Sequence, residues 1–197
     1  YNGIWENDII TKGIEYWNNE KNDNFDDSEN STDNNTIKFE GKFSYGYYKE
    51  GILYNLHNIK YYQGQFEFSI PDGLGTFFDI FGKKNYMGEI KNNEKHGRGI
   101  EYSHNGTIYY KGNYINNIKD GIGVLYFDNT IYNGLFKNNS KNGEGEYYIN
   151  NILVYQGEWL NDKYDGAGKL YDKHDGILLY EGQFRNGLRT GFGTLFF

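Results

Sequence analysis

Two short phrases decide the fold of this chain: Tyr-Lys-Gly-Asn-Tyr at residues 110–114 and Gly-Ile-Gly-Val-Leu at residues 121–125. Side chains alternate between the two faces of a β-strand. As a strand, the first phrase places Tyr110, Gly112 and Tyr114 on one face, and the second places both glycines and the leucine on one face. Because glycine in a strand often marks the close approach of another group, we expect tyrosine rings of one strand to lie over the glycine backbone of the next.

The first phrase, aromatic-x-Gly-x-apolar, recurs eight times. Its glycines are Gly3, Gly41, Gly64, Gly88, Gly112, Gly134, Gly157 and Gly182. Nine residues after six of them comes a Gly-x-Gly pair, whose first members are Gly73, Gly97, Gly121, Gly143, Gly166 and Gly191. The first two repeats differ, because Gly13 and Gly51 lie ten residues on. In these two repeats we expect Glu15 and Leu53 to stand where the second glycine of the pair should be. A tandem repeat is therefore the main feature of the chain.

Turn residues separate the phrases. Asn-rich segments at 92–95 and 138–141 lie within repeats, and asparagine tolerates turn conformations. Between repeats, Asn105-Gly106 is a strong signal for a two-residue hairpin turn, and the pairs at 128–129, 150–151 and 175–176 are similar. Each repeat is then one β-hairpin, and about sixteen strands spaced roughly 4.8 Å apart form a twisted meander about 75 Å long.

Composition agrees with an all-β fold. The chain has 27 Gly and a single Ala, whereas alanine is the best helix former and glycine among the worst. It has no Cys, which excludes disulfides and zinc sites built on cysteine. Its apolar stretches are too short to span a bilayer.

The net charge of −7 is concentrated in one segment. Residues 18–35 hold six carboxylates against one lysine, so they account for −5 and leave about −2 for the rest. A nearly neutral body lacks the basic patch that nucleic acids require. It also disfavours direct binding to anionic membranes, which usually needs clusters of Lys and Arg.

This pattern resembles the membrane occupation and recognition nexus (MORN) repeat, which is about 23 residues long, and His96 matches a residue that this family often has before the glycine pair. The resemblance covers nearly the whole chain outside 18–36. It implies an all-β, single-layer, elongated and twisted antiparallel sheet of tandem hairpins over residues 1–197. The repeats start near residues 1, 39, 62, 86, 110, 132, 155 and 180, with an acidic Asn-rich insert at 18–36. The high Asn content suggests an AT-rich protist genome, such as that of an apicomplexan parasite.

The resemblance implies a non-enzymatic scaffold or tether in the cytoplasm, associated with the cytoskeleton or the membrane cortex. The expected partner is a protein, through an amphipathic helix or coiled-coil segment, with self-association through the terminal repeats as a further expectation. No nucleic acid is expected. A peripheral phospholipid-binding module and an accessory domain of a larger enzyme remain alternatives.

Six aromatic residues should form a ladder down one face: Phe43, Phe66, Tyr114, Phe136, Trp159 and Phe184. One interpretation is that this ladder is simply the core. The other is that part of it lines an open groove that binds a helix or a strand of a partner.

Other chemistry finds no support, and we predict no catalytic residue, cofactor or metal. A dinucleotide loop needs a third glycine three residues after the pair, at the start of a helix. That position holds Tyr102, Tyr126, Tyr148 or Tyr171. No serine lies in a Gly-x-Ser-x-Gly elbow. The insert at 23–34 lacks the glycine and the glutamate of a calcium loop, and we expect it to be a disordered, solvated loop.

Overall fold

The computed structural model describes residues 1–7, 9–17 and 36–197. In these residues it contains sixteen β-strands and no helix. The strands are β1 (Asn2–Glu6), β2 (Ile9–Tyr16), β3 (Ile37–Ser44), β4 (Tyr47–Tyr54), β5 (Lys60–Glu67), β6 (Ile70–Phe78), β7 (Lys84–Lys91), β8 (Glu94–Tyr102), β9 (Ile108–Ile115), β10 (Ile118–Phe127), β11 (Thr130–Lys137), β12 (Ser140–Ile149), β13 (Ile152–Leu160), β14 (Lys163–Tyr171), β15 (Leu178–Arg185) and β16 (Leu188–Leu195). The acidic insert predicted at 18–36 lies, apart from Thr36, outside the described residues.

The chain folds into two compact units, Tyr1–Asn93 and Glu94–Phe197. Within the first unit, each strand from β1 to β6 pairs antiparallel with the strand that follows it. Within the second unit, each strand from β8 to β15 does the same. The predicted all-β fold of consecutive antiparallel hairpins is confirmed. The length of about 75 Å and the single array over 1–197 stay predictions.

A row of glycines crosses each unit, one glycine per strand. In the second unit Gly112 pairs with Gly123, which pairs in turn with Gly134. The ring of Tyr110 lies across the first two of these glycines, so a Cβ on Gly112 would lie 2.5 Å from the tyrosine hydroxyl. That hydroxyl donates a hydrogen bond to the carbonyl of Asn113 at 3.2 Å. The expectation that tyrosine rings lie over bare glycine backbone is therefore confirmed.

The two glycines of the Gly-x-Gly pair have different functions. Gly121 lies in a bulge with a φ of 103°, where a residue with a Cβ would be strained. A Cβ there would meet Asn113 on the polar face, whereas a Cβ on Gly123 would meet Tyr110. The prediction that both glycines share a face is therefore wrong, because the bulge turns Gly121 toward the opposite side.

The first two repeats form ordered hairpins with a smaller bulge. Gly13 pairs with Gly3, and Gly51 pairs with Gly41. They therefore occupy the position of the second glycine of the pair, and the first is missing. The prediction that Glu15 and Leu53 stand at the second glycine position is wrong, because these hairpins lack one residue of the bulge.

The turns within repeats are tighter than the sequence segments indicated. Asn138 and Asn139 have φ of 50° and 69°, as in a two-residue type I′ turn, which requires positive φ at both positions. Asn150 and Asn151 form the same turn between repeats, with φ of 51° and 65°. The two-residue turn predicted at Asn105-Gly106 is wrong. The backbone N–H of Ser103 instead bonds the carbonyl of Thr107 at 2.9 Å and closes a longer loop.

In three hairpins of the second unit the second turn residue, which is Asn117, Asn139 or Asp162, also fastens the hairpin to the preceding one. The backbone N–H of Asn139 donates to the carbonyl of Lys119 at 3.0 Å, and the Oδ1 of Asn139 accepts from the N–H of Lys119 at 2.9 Å. Asp162 makes the same two bonds to Lys141, at 3.1 and 2.9 Å. We call this paired arrangement the turn staple. It requires a residue that combines positive φ with a short acceptor, which explains the preference for Asn and Asp.

We expect Gly123→Ala to destabilise the chain by about 1–3 kcal/mol, because the new methyl group overlaps the ring of Tyr110 in a packed core. The neighbouring Ile122 is 68% exposed on the other face, so Ile122→Ala should change stability by only about 0.5 kcal/mol. Urea denaturation of both variants measures the difference. A Gly123→Ala chain as stable as the wild type would contradict the ring-over-glycine packing.

Asn139→Gly should cost about 1 kcal/mol, because glycine keeps the positive φ but removes the acceptor of the turn staple. Asn138→Gly is the matched control: it is adjacent and has the same sign of φ, and its side chain makes no hydrogen bond in the described residues. Thermal unfolding of the two variants compares them directly. Equal melting temperatures would show that the Asn139 side chain contributes nothing.

Candidate interaction site

The six aromatic residues predicted as a ladder lie in the core. Their exposed fractions are only 2–5%, and each ring meets the first aromatic of a repeat edge-on. Tyr132 and Phe136, for example, have centroids 5.1 Å apart at 89°. The rings support the sheet in this structure, and their contact with a partner stays a prediction. The residues are Phe43, Phe66, Tyr114, Phe136, Trp159 and Phe184.

The aromatic face is covered by one residue from the second strand of each hairpin. Tyr164 stacks on Tyr155 with centroids 3.7 Å apart. Lys119 places its Nζ 5.2 Å from the ring centre of Tyr110. The third repeat has Pro71 at this position. Three further repeats hold an aromatic ring or a cation there, and each ring or cation lies opposite a ladder residue in the register. These cover residues are Tyr48, Lys119, Lys141, Tyr164 and Arg189.

Among the cationic cover residues, Lys141 has the most aromatic surroundings. Its Nζ lies 5.3, 5.1 and 4.9 Å from the ring centres of Tyr132, Tyr147 and Trp159. Among the described residues no carboxylate forms an ion pair with it. Burial lowers the pKa of the Lys141 amine, and the nearby charge of Asp162 opposes that change. The ammonium is therefore held by cation–π attraction.

Glu101 is the acidic residue of the aromatic face in the second unit, at a position that holds leucine in four other repeats, at residues 53, 125, 170 and 195. Its carboxylate lies 2.7 Å from the Nζ of Lys95 and 3.0 Å from that of Lys119. The hydroxyl of Tyr114 donates to it at 3.0 Å. Burial raises its pKa, but hydrogen bonds and charges from both lysines outweigh burial and lower the pKa overall. Glu101 is thus a neutralised structural group and does not present a free acid or base.

The opposite face of the sheet is open. In the first unit a groove of about 870 Å³ runs over the glycine row, between side chains that include Ile4, Ile52, Lys42 and Glu50. We call it the glycine groove. A similar groove of about 520 Å³ lies over the glycine row of the second unit. Because the floor of the glycine groove has no side chains, a bound chain can approach the backbone closely.

The described residues offer little else for chemistry. They contain no group of three or more His, Asp or Glu placed to hold a metal ion. In the same residues, no helix has the length and apolarity needed to cross a membrane.

The consecutive hairpins and the glycine rows define a tandem β-hairpin repeat protein. A family model described as the MORN repeat matches residues 62–79, 86–108, 110–130, 132–151, 155–173 and 180–197, more than half of the chain. The chain therefore belongs to the MORN repeat family. This family is a non-catalytic repeat module, generally involved in membrane or protein interactions. A comparison with curated proteins found no match.

Sequence reasoning missed the cover residues and the glycine groove. A signal for the cover residues was present, because a Tyr, Lys or Arg stands two residues after the turn in most repeats. It was not used because lysine and arginine are usually exposed. The glycine groove has no such signal, since its floor consists of residues already assigned to the core packing.

We expect Glu101→Gln to destabilise the chain by about 1–3 kcal/mol at pH 7, because it leaves Lys95 and Lys119 without their carboxylate. The folded pKa of Glu101 lies below its ordinary value of 4.5. Its ionised form therefore stabilises the fold above pH 4.5, and this contribution is lost as the pH falls through the folded pKa.

Unfolding measured from pH 7 to pH 3 should thus be less pH-dependent in Glu101→Gln than in the wild type. Glu50→Gln removes an exposed ion pair with Lys42 and should change the profile little, since exposed pairs contribute little. Identical slopes for wild type and Glu101→Gln would refute the assignment.

Proposed function

We propose that this chain is a non-enzymatic scaffold or tether that binds a protein partner at the cytoskeleton or the membrane cortex. The observation that carries the proposal is the glycine groove of the first unit, with a volume of about 870 Å³. Pockets of several hundred Å³ are common binding sites. The groove lies on the face that the buried aromatic residues leave free.

The glycine groove suits a protein chain because it combines apolar and polar walls. Ile4 is 59% exposed and offers apolar surface. Gln63 and Thr76 also line the groove and offer hydrogen-bonding groups. Behind the floor, the ring of Phe39 lies against Gly41 and Gly51, and that of Tyr62 lies against Gly64. A preformed site of this kind loses little conformational entropy on binding.

The charges of the groove favour a protein over an anionic membrane. Lys42 forms an ion pair with Glu50 at 2.8 Å on its wall. In the groove of the second unit Lys169 and Glu181 lie 3.2 Å apart. Charges of both signs therefore alternate along this face, whereas binding to anionic lipids needs a cluster of cations.

The test is affinity purification of the full-length protein from its native cells, followed by mass spectrometry. Wild type is compared with Ile4→Lys, which adds a charge inside the glycine groove. Leu160→Lys is the matched control, because Leu160 is 48% exposed and lies outside the groove residues. Thermal unfolding confirms that all three proteins fold.

We expect a near-stoichiometric protein partner with wild type and with Leu160→Lys, and at least a tenfold loss with Ile4→Lys, because a new charge must be desolvated. Recovery of the wild-type protein alone in the membrane fraction would overturn the proposal in favour of lipid binding. Equal recovery of the partner with Ile4→Lys would show that the glycine groove is not the site.

A further inference from the structure

Two hairpin tips of the first unit carry aromatic residues where the other tips carry asparagine. Tyr45 and Phe68 are the first residues of their two-residue turns, with φ of 49° and 48°. The equivalent first turn residues have φ of 48–51°. They are Asn92, Asn116, Asn138, Asn161 and Asn186.

A bulky aromatic residue is a poor choice for this backbone conformation. Positive φ is several-fold enriched in asparagine and is an outlier for large side chains. Turn geometry therefore does not explain Tyr45 or Phe68, and asparagine at both places would suit the fold better. Residues held in strained conformations cluster at binding sites.

Both aromatic tips are exposed and lie side by side. Tyr45 is 85% exposed and Phe68 is 69% exposed. Tyr47 and Ile70 flank them and are 49% and 47% exposed. The ring of Tyr47 meets that of Phe68 edge-on with centroids 5.6 Å apart. We call these four residues the tip patch.

A hydrogen bond between the hairpins fixes the arrangement of the tip patch. Ser69 Oγ accepts from the backbone N–H of Tyr48 at 3.0 Å. Ser69 is the second residue of its turn and therefore replaces the asparagine of the turn staple. The two tips are held together before any partner binds, as expected of a preorganised anchor.

The surroundings of the tip patch are acidic. A groove of about 310 Å³ beside it is lined by Lys49, Glu50, Glu67 and Asp72. Because Glu50 is paired with Lys42, the carboxylates of Glu67 and Asp72 remain against the single ammonium of Lys49. Glu67 directly precedes Phe68 in the sequence. Complementary charge selects partners and excludes wrong ones, so this rim attracts cations and repels anionic lipid headgroups.

We propose that the tip patch anchors a partner protein through a segment in which apolar side chains are flanked by Lys or Arg. The apolar side chains contact Tyr45, Tyr47 and Phe68, and the cations lie near Glu67 and Asp72. This inference rests on the proposed function, because the small groove shares Glu50 with the glycine groove.

The probes are three fluorescein-labelled peptides that bind to the purified full chain in an anisotropy titration. The first has the sequence Lys-Arg-Ser-Leu-Trp-Ser-Leu-Lys-Arg. The second replaces every Lys and Arg with Glu, and the third replaces Leu and Trp with Ser. The test variant is the double substitution Tyr45→Asn and Phe68→Asn, and the matched control is Phe192→Asn, which removes a 90% exposed aromatic residue from the second unit.

We expect the first peptide alone to bind, and the double variant to weaken its binding at least tenfold while melting at the same or a higher temperature. The melting temperature matters because it shows that binding was lost without loss of the fold. The control should bind as the wild type does. Equal binding of the first peptide by wild type and double variant would overturn the inference, as would equal binding of all three peptides or no binding of the first.

Binding of the wild type and the double variant to vesicles containing phosphatidylserine is measured as well. Vesicle binding that is lost in the double variant, without peptide binding, would reassign the tip patch to lipid and also overturn the inference. A different outcome would overturn the proposed function. If the double variant recovers the same cellular partner as the wild type, only the tip patch is wrong, whereas a wild-type protein that recovers no partner overturns the scaffold itself.

Discussion

The structure depends on a tyrosine ring lying flat against glycine backbone. In each of the later repeats the first aromatic of the phrase covers the two glycines that pair beneath it, and its hydroxyl bonds a main-chain carbonyl three residues on. A single-layer sheet has no second sheet to pack against. The ring supplies that missing layer, because burying an aromatic side chain removes more apolar area from water than burying an aliphatic one. Glycine is required because a Cβ would occupy the same space as the ring.

Once the rings occupy one face, the roles of the other residues follow. The ladder aromatics pack edge-on against the tyrosines, and the cover residues shield them from solvent. Charged residues on this face are compensated by an ion pair, as Glu101 is by Lys95 and Lys119, or by aromatic rings, as Lys141 is, because an uncompensated charge there would lose its hydration. The glycine row leaves its opposite side free of side chains. The requirement that builds the core therefore also creates the open groove.

The sequence pattern was sufficient for the fold class, the hairpin order and the ring-over-glycine packing. The pattern gave wrong assignments where a β-bulge interrupts the alternation of side chains between the two faces of a strand. The bulge at Gly121 adds residues that strict two-residue periodicity cannot represent, so the pattern assigned that glycine to the wrong face. For a related reason, the pattern took Gly13 and Gly51 as the first glycine of the pair, although they occupy the position of the second. The turn at Asn105-Gly106 has the composition of a tight turn, but a longer loop is selected by hydrogen bonds from Ser103 to the carbonyl of Thr107 and from the N–H of Thr107 to the Oδ1 of Asn105.

The candidate site was the hardest part to predict. The ladder aromatics were recognisable as one face, but sequence alone left open whether that face is buried. The tip patch depends on a backbone angle: Tyr45 and Phe68 are ordinary residues in the sequence and become unusual only because their φ is positive.

In the second unit, the bonds of the turn staple run from a later hairpin to the hairpin before it. Asn139 comes from the later hairpin and satisfies the backbone of Lys119 in the earlier one, and Asp162 does the same for Lys141. During synthesis the N-terminal part of a chain emerges first. When a hairpin that carries Lys119 or Lys141 leaves the ribosome, the N–H and carbonyl of that lysine therefore bond only to water until the following repeat emerges. Folding on the ribosome should accordingly lag one repeat behind translation, and a nascent chain stalled between repeats exposes one incomplete tip.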